Sequence, residues 1–554
     1  MKSLTTILEN LEGRPDHVFL QEARDGQLHA YPGSHLANRL RRARNWLRAA
    51  GVKPGDRVAL LAGNSVDWVT ADLAILAEGA IAVPLYGRAQ PAEMATMLAD
   101  CTPTLVLVEG TEAQEALRGA GVTAPLHALT ELADGSEDPV SPPQRAGTDP
   151  ATIIYTSGTS GEPKGVVLNG DNLDFMLDRT GPRLDALMKG ESGPDRVFHY
   201  LPFCFAGSWI MLLLCLQRRS ILTLNTDLTT IVDDLGLVRP HYFQNVPVLL
   251  ERMRDGVRQA FSKRALMAGI FAGAERAHAA AKAGDTPRAG DQFRLWLAQR
   301  ALFPAVRRRL GPRLKALICG SAPLSEDTQS FFEMVGIQVL QVYGLTETTA
   351  ILTMDEPGHA VAGCVGRAID DVELKIDASG EILARGANIF TGYWNRDEAT
   401  AECFDGEWFK TGDQGEMDEQ GVWKIVGRMK NLLVPEAGHN VAPEPLEQGI
   451  AERVPAAEQV VVIGDARPHL AVIVTGNVDP NDLQAALEDL NSGLPHYKKV
   501  RGSMIVPQAF GPENGLLTAN GKIRRGEVLK ALAKEIDAMY ERNTAAQQPV
   551  GSSS

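Results

Sequence analysis

The sequence contains few cysteines, and their arrangement excludes two kinds of site. The six cysteines lie far apart, at positions 101, 204, 215, 319, 364 and 403, without the Cys-x-x-Cys spacing of zinc sites. Scattered thiols of this kind are typical of a reducing compartment and argue against a disulfide framework. We therefore expect a cytoplasmic protein in which the cysteines have no functional role.

The sequence also lacks an excess of positive charge and a long apolar run. A formal net charge of −14 disfavours a general nucleic-acid binder, whose phosphate contacts call for a basic surface. The longest apolar run, Phe203 to Leu216, has about fourteen residues, whereas a bilayer-spanning helix needs roughly twenty. The first twenty residues contain charges and no apolar segment long enough for a secretory signal. We expect the apolar run to be buried structure.

The length and the pattern of the chain predict its fold class. A chain of 554 residues exceeds what one hydrophobic core usually supports, so two or more domains are expected. Helical patterns alternate with short apolar runs at 57–61, 80–84 and 105–108. Strands separated by helices predict a parallel sheet covered on both faces. The expected class is α/β.

The segment Tyr155–Gly165, with the sequence YTSGTSGEPKG, lies between two apolar runs and predicts a strand, a loop and a second strand. Its glycines permit positive φ and close approach of backbone N–H groups to a ligand, and its hydroxyls and Lys164 can donate to phosphate oxygens. It is not a Walker loop, because Pro163 precedes the lysine and a β-prone run follows. Taken alone, the segment equally fits a plain hairpin connection.

Four further motifs follow in order: Tyr343–Glu347 (YGLTE), Thr411–Asp413 (TGD), Gly427–Arg428 and Asn520–Lys522 (NGK). With the loop they resemble the adenylate-forming superfamily of acyl-CoA synthetases, peptide-synthetase adenylation domains and firefly luciferase, over nearly the whole chain. Within it, the chain is most similar to long-chain fatty acyl-CoA synthetases. The supporting segments are 245–247, 320–324, 441–444 and 513–518.

The resemblance implies an ATP site with magnesium. Tyr343 is expected to stack on adenine, Thr346 to contact phosphate and Glu347 to bind Mg²⁺, since dense phosphate charge calls for a hard cation with oxygen ligands. Asp413 is expected to accept hydrogen bonds from the ribose hydroxyls. The implied nucleotide-binding residues are Thr156, Ser157, Gly158, Thr159, Ser160, Gly161, Lys164, Gly320, Ser321, Ala322, Pro323, Tyr343, Gly344, Asp413, Ile425 and Arg428.

The resemblance also implies catalytic and thiol-binding residues near the C-terminus. Lys522 is expected to act in adenylation with Thr346 and Glu347, although composition alone would favour a surface lysine. Lys430 is the expected hinge. The CoA entrance would contain Gly438, His439 and Asn440. Asn431 and the turn 435–440 depart from the family pattern, which leaves CoA binding less well defined than adenylation.

We therefore predict three regions. Residues 1–429 would form an N-terminal adenylate-forming domain of parallel α/β sheets with a small β-barrel subdomain. Residues 430–544 would form a small mobile α+β domain, and 545–554 a disordered tail. The predicted activity is ATP-dependent conversion of a hydrophobic, medium- or long-chain fatty acid to acyl-AMP and then to acyl-CoA. Alternatives are loading of a polyketide, terpenoid or aromatic acid onto CoA or an acyl carrier protein, luciferase-type oxidation, or a nucleotide-binding regulator.

Two segments suggest further contacts. Phe205 stands where many adenylate-forming enzymes have a histidine, and with Trp209 it could line an acyl pocket or simply pack in the core. The segment Arg252–Lys315 contains fifteen Lys or Arg residues and four Asp or Glu residues on helical patterns such as Phe293–Leu297. This basic surface fits weak peripheral contact with anionic lipid or a solvated helix face. The oligomeric state is left open.

Overall fold

The computed structural model describes residues 1–141, 143, 145–157, 162–436, 439–518 and 521–547. These residues divide into two compact units. Unit 1 contains residues 1–375, 383–409 and 417–424, and unit 2 contains residues 376–382, 410–416 and those from Ile425 onward. The predicted α/β class is confirmed, because each unit combines strands with packed helices.

Twenty-four strands are present in the described residues. They are β1 (Val18–Arg24), β2 (Gln27–Pro32), β3 (Arg57–Leu61), β4 (Ile81–Pro84), β5 (Leu105–Val108), β6 (Leu126–Ala128), β7 (Pro150–Ser157), β8 (Pro163–Asn169), β9 (Arg196–His199), β10 (Ile221–Asn225), β11 (Tyr242–Asn245), β12 (Ala316–Cys319), β13 (Gln338–Tyr343), β14 (Thr353–Met354), β15 (Arg367–Ala368), β16 (Glu373–Ile376), β17 (Glu381–Arg385), β18 (Gly392–Tyr393), β19 (Phe404–Asp405), β20 (Trp408–Met417), β21 (Trp423–Arg428), β22 (Gln459–Ile463), β23 (Leu470–Thr475) and β24 (Val500–Val506).

Eighteen α-helices accompany these strands in the same described ranges. They are α1 (Lys2–Gly13), α2 (Gly33–Ala49), α3 (Val66–Ala77), α4 (Pro91–Cys101), α5 (Thr111–Gly119), α6 (Gly170–Met188), α7 (Ala206–Arg218), α8 (Ile231–Val238), α9 (Pro247–Ser262), α10 (Ala265–Lys282), α11 (Ala289–Ala301), α12 (Phe303–Leu310), α13 (Glu326–Val335), α14 (Asp397–Glu402), α15 (Glu444–Arg453), α16 (Pro480–Ser492), α17 (Arg525–Ala531) and α18 (Ala533–Gln547).

Unit 1 contains two large mixed sheets. The first has seven strands in the order β18-β8-β7-β4-β3-β5-β6, with a parallel centre and two antiparallel pairs at the β18 edge. The second has nine strands in the order β15-β14-β13-β12-β11-β9-β10-β1-β2, and its central strands from β1 to β13 are parallel. Apolar strands buried on both faces explain why these segments read as continuous hydrophobic runs.

Two smaller sheets follow. The first contains β16, β17, β20 and β19 in that order, and β21 pairs with β20. This half-barrel lies where the sequence predicts a small β-barrel subdomain. In unit 2, β22 pairs antiparallel and β24 pairs parallel with the central β23. The predicted tail, 545–554, begins inside α18, which ends at Gln547, and residues 548–554 lie outside the described residues.

The longest apolar run forms helix α7 from Ala206 onward, and ten residues of this helix are buried. This confirms the prediction of buried structure. No helix in the described ranges combines the length and the apolar character that crossing a bilayer requires. All six cysteines are free thiols, and four of them are buried.

Candidate active site

The phosphate-loop segment has the predicted flanking strands. β7 and β8 pair antiparallel, with Thr156 opposite Lys164 and Ser157 opposite Pro163. Residues 158–161, which contain four of the predicted phosphate-binding positions (Gly158, Thr159, Ser160 and Gly161), lie outside the described residues. The pairing therefore places Thr156 and Lys164 at the base of the loop, one on each strand.

Lys164 lies beside a tyrosine that is distant in sequence. Its Nζ is 5.1 Å from the centroid of the Tyr393 ring, within the range of a cation–π contact. β18 brings the ring there, because Tyr393 pairs with Val166 and the Trp394 N–H donates to the Gly165 carbonyl at 2.7 Å. β18 thus places the tyrosine at the outer edge of β8, the strand that leaves the loop.

The same tyrosine holds Glu347. The Tyr393 hydroxyl donates to Glu347 Oε1 at 2.8 Å, and the Phe390 N–H donates to the Glu347 carbonyl at 2.8 Å. Glu347 lies in a 3₁₀ turn, Thr346–Thr348, after β13. Burial, followed by the charge of Glu347, raises the pKa of Tyr393 well above its ordinary value, so the phenol remains a proton donor. Lys164 and Glu347 are therefore organised around one side chain.

A magnesium ion fits Glu347 as one ligand among several. Within the described part of the chain, no group of three or more His, Cys, Asp or Glu side chains could hold a metal ion by itself. Mg²⁺ that binds with a nucleotide typically takes one or two carboxylates, water and phosphate oxygens. A single oriented carboxylate near Lys164, at the base of the predicted phosphate loop, matches this chemistry.

The predicted adenine-binding turns lie at neighbouring strand ends. Residues 320–323 follow β12, Tyr343 ends β13 and Gly344 comes directly after it. The two strands are parallel. A Cβ at Gly320 would lie 2.7 Å from Val342 Cγ2, and one at Gly344 would overlap the Ala350 carbonyl oxygen. The two glycines therefore allow close backbone approach at the carboxyl edge of the sheet, where ligands of such sheets bind.

In unit 2, Asp413 is held by two neighbours. The Arg428 Nε lies 2.9 Å from Asp413 Oδ1, and the Asp413 N–H donates to Thr411 Oγ1 at 3.1 Å. The carboxylate is buried whereas the guanidinium is half exposed. Ile425 is half-buried on β21, three residues before Arg428. The arrangement provides a carboxylate acceptor in a fixed orientation, which suits vicinal hydroxyls.

The described residues among the predicted hinge and thiol-entrance positions lie in unit 2. Lys430 is the central residue of the 3₁₀ turn Met429–Asn431. Asn431 Nδ2 donates to Glu444 Oε1 at 2.7 Å. The His439 ring is 4.4 Å from the Tyr497 ring. Asn440 is exposed, and Gly438 lies outside the described residues.

Lys522 lies in an exposed turn of the chain. Its N–H donates to Thr518 Oγ1 at 2.9 Å, and its carbonyl accepts from the Thr518 N–H at 2.8 Å. Leu517 and Ile523 form an isolated antiparallel bridge beside it, and Gly521 has φ +81°, a value that favours glycine. Asn520 lies outside the described residues. The turn presents the lysine backbone in a defined conformation.

The two predicted acyl-pocket residues differ in accessibility. Phe205 immediately precedes α7, and its ring lies 5.4 Å from that of Tyr86, a residue that the sequence pattern did not single out. Trp209 is only 1% exposed and donates from Nε1 to Asp72 Oδ2 at 2.9 Å. Asp72 is fully buried, and burial raises its pKa to about 7. Trp209 thus belongs to the core, while Phe205 and Tyr86 form an aromatic pair beside it.

The sequence analysis missed Tyr393. It lies 46 residues after Glu347, in a two-residue strand, and no spacing rule links the two. The one local signal in the sequence is Gly392 followed by two aromatic residues, Tyr393 and Trp394. This pattern would also fit an ordinary edge strand.

Comparison with known proteins gives concordant results. The family model of the AMP-binding enzyme matches residues 8–394, and that of the AMP-binding enzyme C-terminal domain matches residues 430–544. The long-chain-fatty-acid–CoA ligase FadD15 of Mycobacterium bovis is 30% identical over 97% of this chain and 96% of its own length. The long chain acyl-CoA synthetase 3 of Arabidopsis thaliana is 27% identical over 91% of this chain and 86% of its own.

A solved structure supports the same fold. The O-succinylbenzoate coenzyme A synthetase of Bacillus subtilis, in complex with ATP and a magnesium ion, superposes with a TM-score of 0.74 over 94% of this chain and 98% of its own, at 20% identity. The resemblance inferred from the five motifs is confirmed by these matches, which cover nearly all of the chain. The chain belongs to the AMP-binding enzyme family of adenylate-forming enzymes.

Proposed function

We propose that the chain is an ATP- and magnesium-dependent acid–CoA ligase that activates a hydrophobic, medium- or long-chain fatty acid. The observation that carries the proposal is the arrangement of Lys164 and Glu347 on either side of Tyr393 at the base of the phosphate loop. This arrangement supplies a cation for the phosphates of a nucleoside triphosphate and a carboxylate for the metal ion that accompanies it. The fatty-acid assignment is supported by relatives named as long-chain fatty-acid ligases.

The chemistry explains why two steps are needed. A carboxylate does not react with a thiol because oxide is a poor leaving group. The carboxylate oxygen therefore attacks the α-phosphorus of ATP and releases pyrophosphate, and the CoA thiolate then attacks the acyl carbon and releases AMP. Magnesium, when bound at Glu347, neutralises phosphate charge. In this proposal Lys522 stabilises the first step, in which negative charge builds at the α-phosphate.

The remaining nucleotide contacts are assigned one residue at a time. Tyr343 stacks on adenine beside the turn 320–323, and Thr346 contacts phosphate. Asp413, oriented by Arg428, accepts from the ribose hydroxyls, and Ile425 packs near the base. The ionic contact of Asp413 with Arg428 supports its role because it fixes the orientation of the carboxylate.

The proposal is tested by acid-dependent AMP release with a panel of fatty, aromatic, terpenoid and polyketide acids. Each acid is offered with CoA and then with a carrier protein. Preferred turnover of a medium- or long-chain fatty acid with CoA is expected. If none of the acids supports AMP release, the proposed activity is contradicted. A preference for an aromatic acid would contradict the proposed substrate class.

The second candidate is an acyl-AMP ligase that loads a polyketide, terpenoid or aromatic acid onto CoA or an acyl carrier protein. The feature that favours it is the turn 435–440, Pro-Glu-Ala-Gly-His-Asn, where the family commonly has a Ser/Gly-rich turn. A changed thiol entrance suits a changed acceptor. Preferred activation of such an acid, followed by thioester formation on CoA or on the carrier protein, would establish this candidate.

We also propose that the chain divides functionally at Lys430, with residues 1–429 as the adenylate-forming domain and 430–544 as a mobile domain. The 3₁₀ turn around Lys430 supports a pivot there, because it directly follows the end of β21 at Arg428. A cytoplasmic location is supported by the free thiols.

The pivot leads to a kinetic prediction. Proline fixes φ near about −65° and restricts the residue before it, so Lys430→Pro should hinder rotation. We expect thioester formation from supplied acyl-AMP and CoA to fall far more than acid-dependent pyrophosphate release. Lys430→Ala removes the side chain but leaves φ free and serves as the control. Equal loss of both half-reactions in a folded Lys430→Pro variant would place the pivot elsewhere.

Helices α10 and α11 support the proposed contact with anionic lipid. Phe293 and Trp296 are exposed, with rings 5.7 Å apart, and the Arg300 guanidinium lies 4.9 Å from the Trp296 ring. Spacings of three and seven residues place the three side chains on one helix face. Leu266 on α10 is 78% exposed. This aromatic and basic face complements an anionic membrane, in which tryptophan favours the interface.

The two helices lie antiparallel, which extends this face. Arg276 of α10 pairs with Asp291 of α11, with Nη2 to Oδ1 at 2.7 Å. Leu266 lies ten residues before Arg276 on α10, and the end of α11 lies ten residues after Asp291. In an antiparallel pair, Leu266 is therefore level with the end of α11 near Arg300. Lys263 and Arg264 precede α10 and are exposed. Apolar and cationic side chains thus share one end of the hairpin.

Vesicle binding tests this surface. We expect the double variant Phe293→Ala/Trp296→Ala to bind phosphatidylglycerol vesicles roughly tenfold more weakly than the parent, because two aromatic anchors no longer enter the interface. Val361→Ala, which shortens an equally exposed apolar side chain elsewhere, should have no effect. Binding by the parent should also weaken at high salt. Parent binding that is insensitive to both the double substitution and salt would reject the lipid contact.

A further inference from the structure

Tyr393 contacts both charged groups of the proposed phosphate and metal site. Its ring faces the Lys164 ammonium, with 5.1 Å between Nζ and the ring centroid. Its hydroxyl donates to Glu347 Oε1 at 2.8 Å. The cation and the carboxylate are each paired with a different part of the same side chain, so the phenol lies between two opposite charges.

The ring is held independently of those two contacts. The Tyr393 N–H donates to Thr400 Oγ1 at 2.9 Å. In the pairing of β18 with β8, Tyr393 lies opposite Val166. The Phe390 ring packs edge-on at 4.9 Å. Backbone pairing and ring packing fix the position of the phenol before any ligand binds, so it can act as a spacer.

The separation matters because Lys164 and Glu347 attract each other. Opposite charges whose side chains both contact one phenol attract each other across the partly buried site. A direct ion pair would occupy the ammonium that should meet phosphate and the carboxylate that should meet metal. Tyr393 offers each charged group a neutral partner instead. The Lys164 ammonium contacts the ring face, and one oxygen of Glu347 accepts a hydrogen bond from the uncharged hydroxyl.

We propose that Tyr393 is a positioning residue that prevents Lys164 and Glu347 from pairing and orients the carboxylate for magnesium. The proposal rests on the proposed magnesium-dependent adenylation. It predicts two separable contributions. The hydroxyl sets metal affinity through Glu347, and the ring sets nucleotide affinity through Lys164.

Two substitutions separate these contributions. Tyr393→Phe removes the hydroxyl and retains the ring, whereas Tyr393→Leu removes both. Tyr31→Phe is the matched control, because the Tyr31 hydroxyl also donates to a glutamate, Glu22, at 2.9 Å but lies outside the proposed site. Binding is measured by calorimetry, with a non-hydrolysable ATP analogue and with Mn²⁺ as the metal probe, so that the result does not depend on turnover.

We expect Tyr393→Phe to weaken Mn²⁺ binding in the presence of the analogue by roughly tenfold or more, the scale for a lost hydrogen bond to a charged group. Its affinity for the analogue without metal should stay close to that of the parent. Tyr393→Leu should additionally lose affinity for the metal-free analogue. Tyr31→Phe should match the parent in both measurements.

A double-substitution cycle tests whether Tyr393 acts through Glu347. If it does, Tyr393→Phe should cost little further metal affinity in a Glu347→Gln background. Additive losses of metal affinity would overturn the proposal, as would parent-like Mn²⁺ binding by a folded Tyr393→Phe variant. Failure of Tyr393→Phe to fold would also overturn it, because the hydroxyl would then have a purely structural role. Failure of the parent itself to bind Mn²⁺ with the analogue would instead count against the proposed function.

Discussion

Glu347→Gln is expected to lose acid-dependent pyrophosphate release by roughly 10²-fold or more while the protein remains folded, the scale typical of a lost electrostatic contact in a transition state. The substitution removes one formal charge from the proposed magnesium site. The amide oxygen can still accept the hydrogen bond from the Tyr393 hydroxyl, and the backbone contact from Phe390 does not involve the side chain. Local structure should therefore persist.

Glu131→Gln provides the matched control for this substitution. Glu131 also lies in a 3₁₀ turn, Leu129–Asp134, and accepts from the Ala128 N–H at 2.7 Å. Its conversion to the amide should leave pyrophosphate release unchanged. A Glu347→Gln protein with the thermal stability of the parent and near-normal pyrophosphate release would reject Glu347 as the metal-binding carboxylate. Raised magnesium requirement in the residual activity would further support the assignment.

The fold was largely predictable because its strands are short and uniformly apolar. The runs at 57–61 and 105–108 are strands β3 and β5 at the same bounds, and both are buried on nearly every residue. The loop at Tyr155–Gly165 was predictable for a different reason, since glycine and proline mark where β7 ends and β8 begins. Local composition was sufficient in both cases.

The contacts of the candidate site depend on pairings that local composition does not encode. Tyr393 reaches Lys164 only because a two-residue strand, β18, joins the edge of β8. The spacing of Phe293 and Trp296 predicts one helix face but not whether that face is buried, and in the structure both side chains are exposed. Trp209 illustrates the reverse case, because a polar partner, Asp72, lies inside the core and takes the indole N–H.

Lys522→Ala is expected to lose acid-dependent pyrophosphate release by roughly 10²-fold or more and yet to convert supplied acyl-AMP and CoA to thioester at close to the parent rate. An ammonium is a compact charge that can contact both the attacking carboxylate and the α-phosphate as negative charge builds. Acyl-AMP already contains that bond, so the second step no longer needs the lysine. The proposed rotation at Lys430 would also move its turn away before the thiol attacks.

The turn that carries Lys522 should survive the substitution. Its hydrogen bonds with Thr518 use the backbone N–H and carbonyl of residue 522, not its side chain. Lys530→Ala is the control, because it removes another exposed lysine from the same C-terminal region, one paired with Glu527 at 2.9 Å. That variant should retain both half-reactions. If Lys522→Ala fails equally at both steps, or at neither, while Lys530→Ala behaves like the parent, Lys522 does not serve adenylation and the charge at the α-phosphate is stabilised by another group.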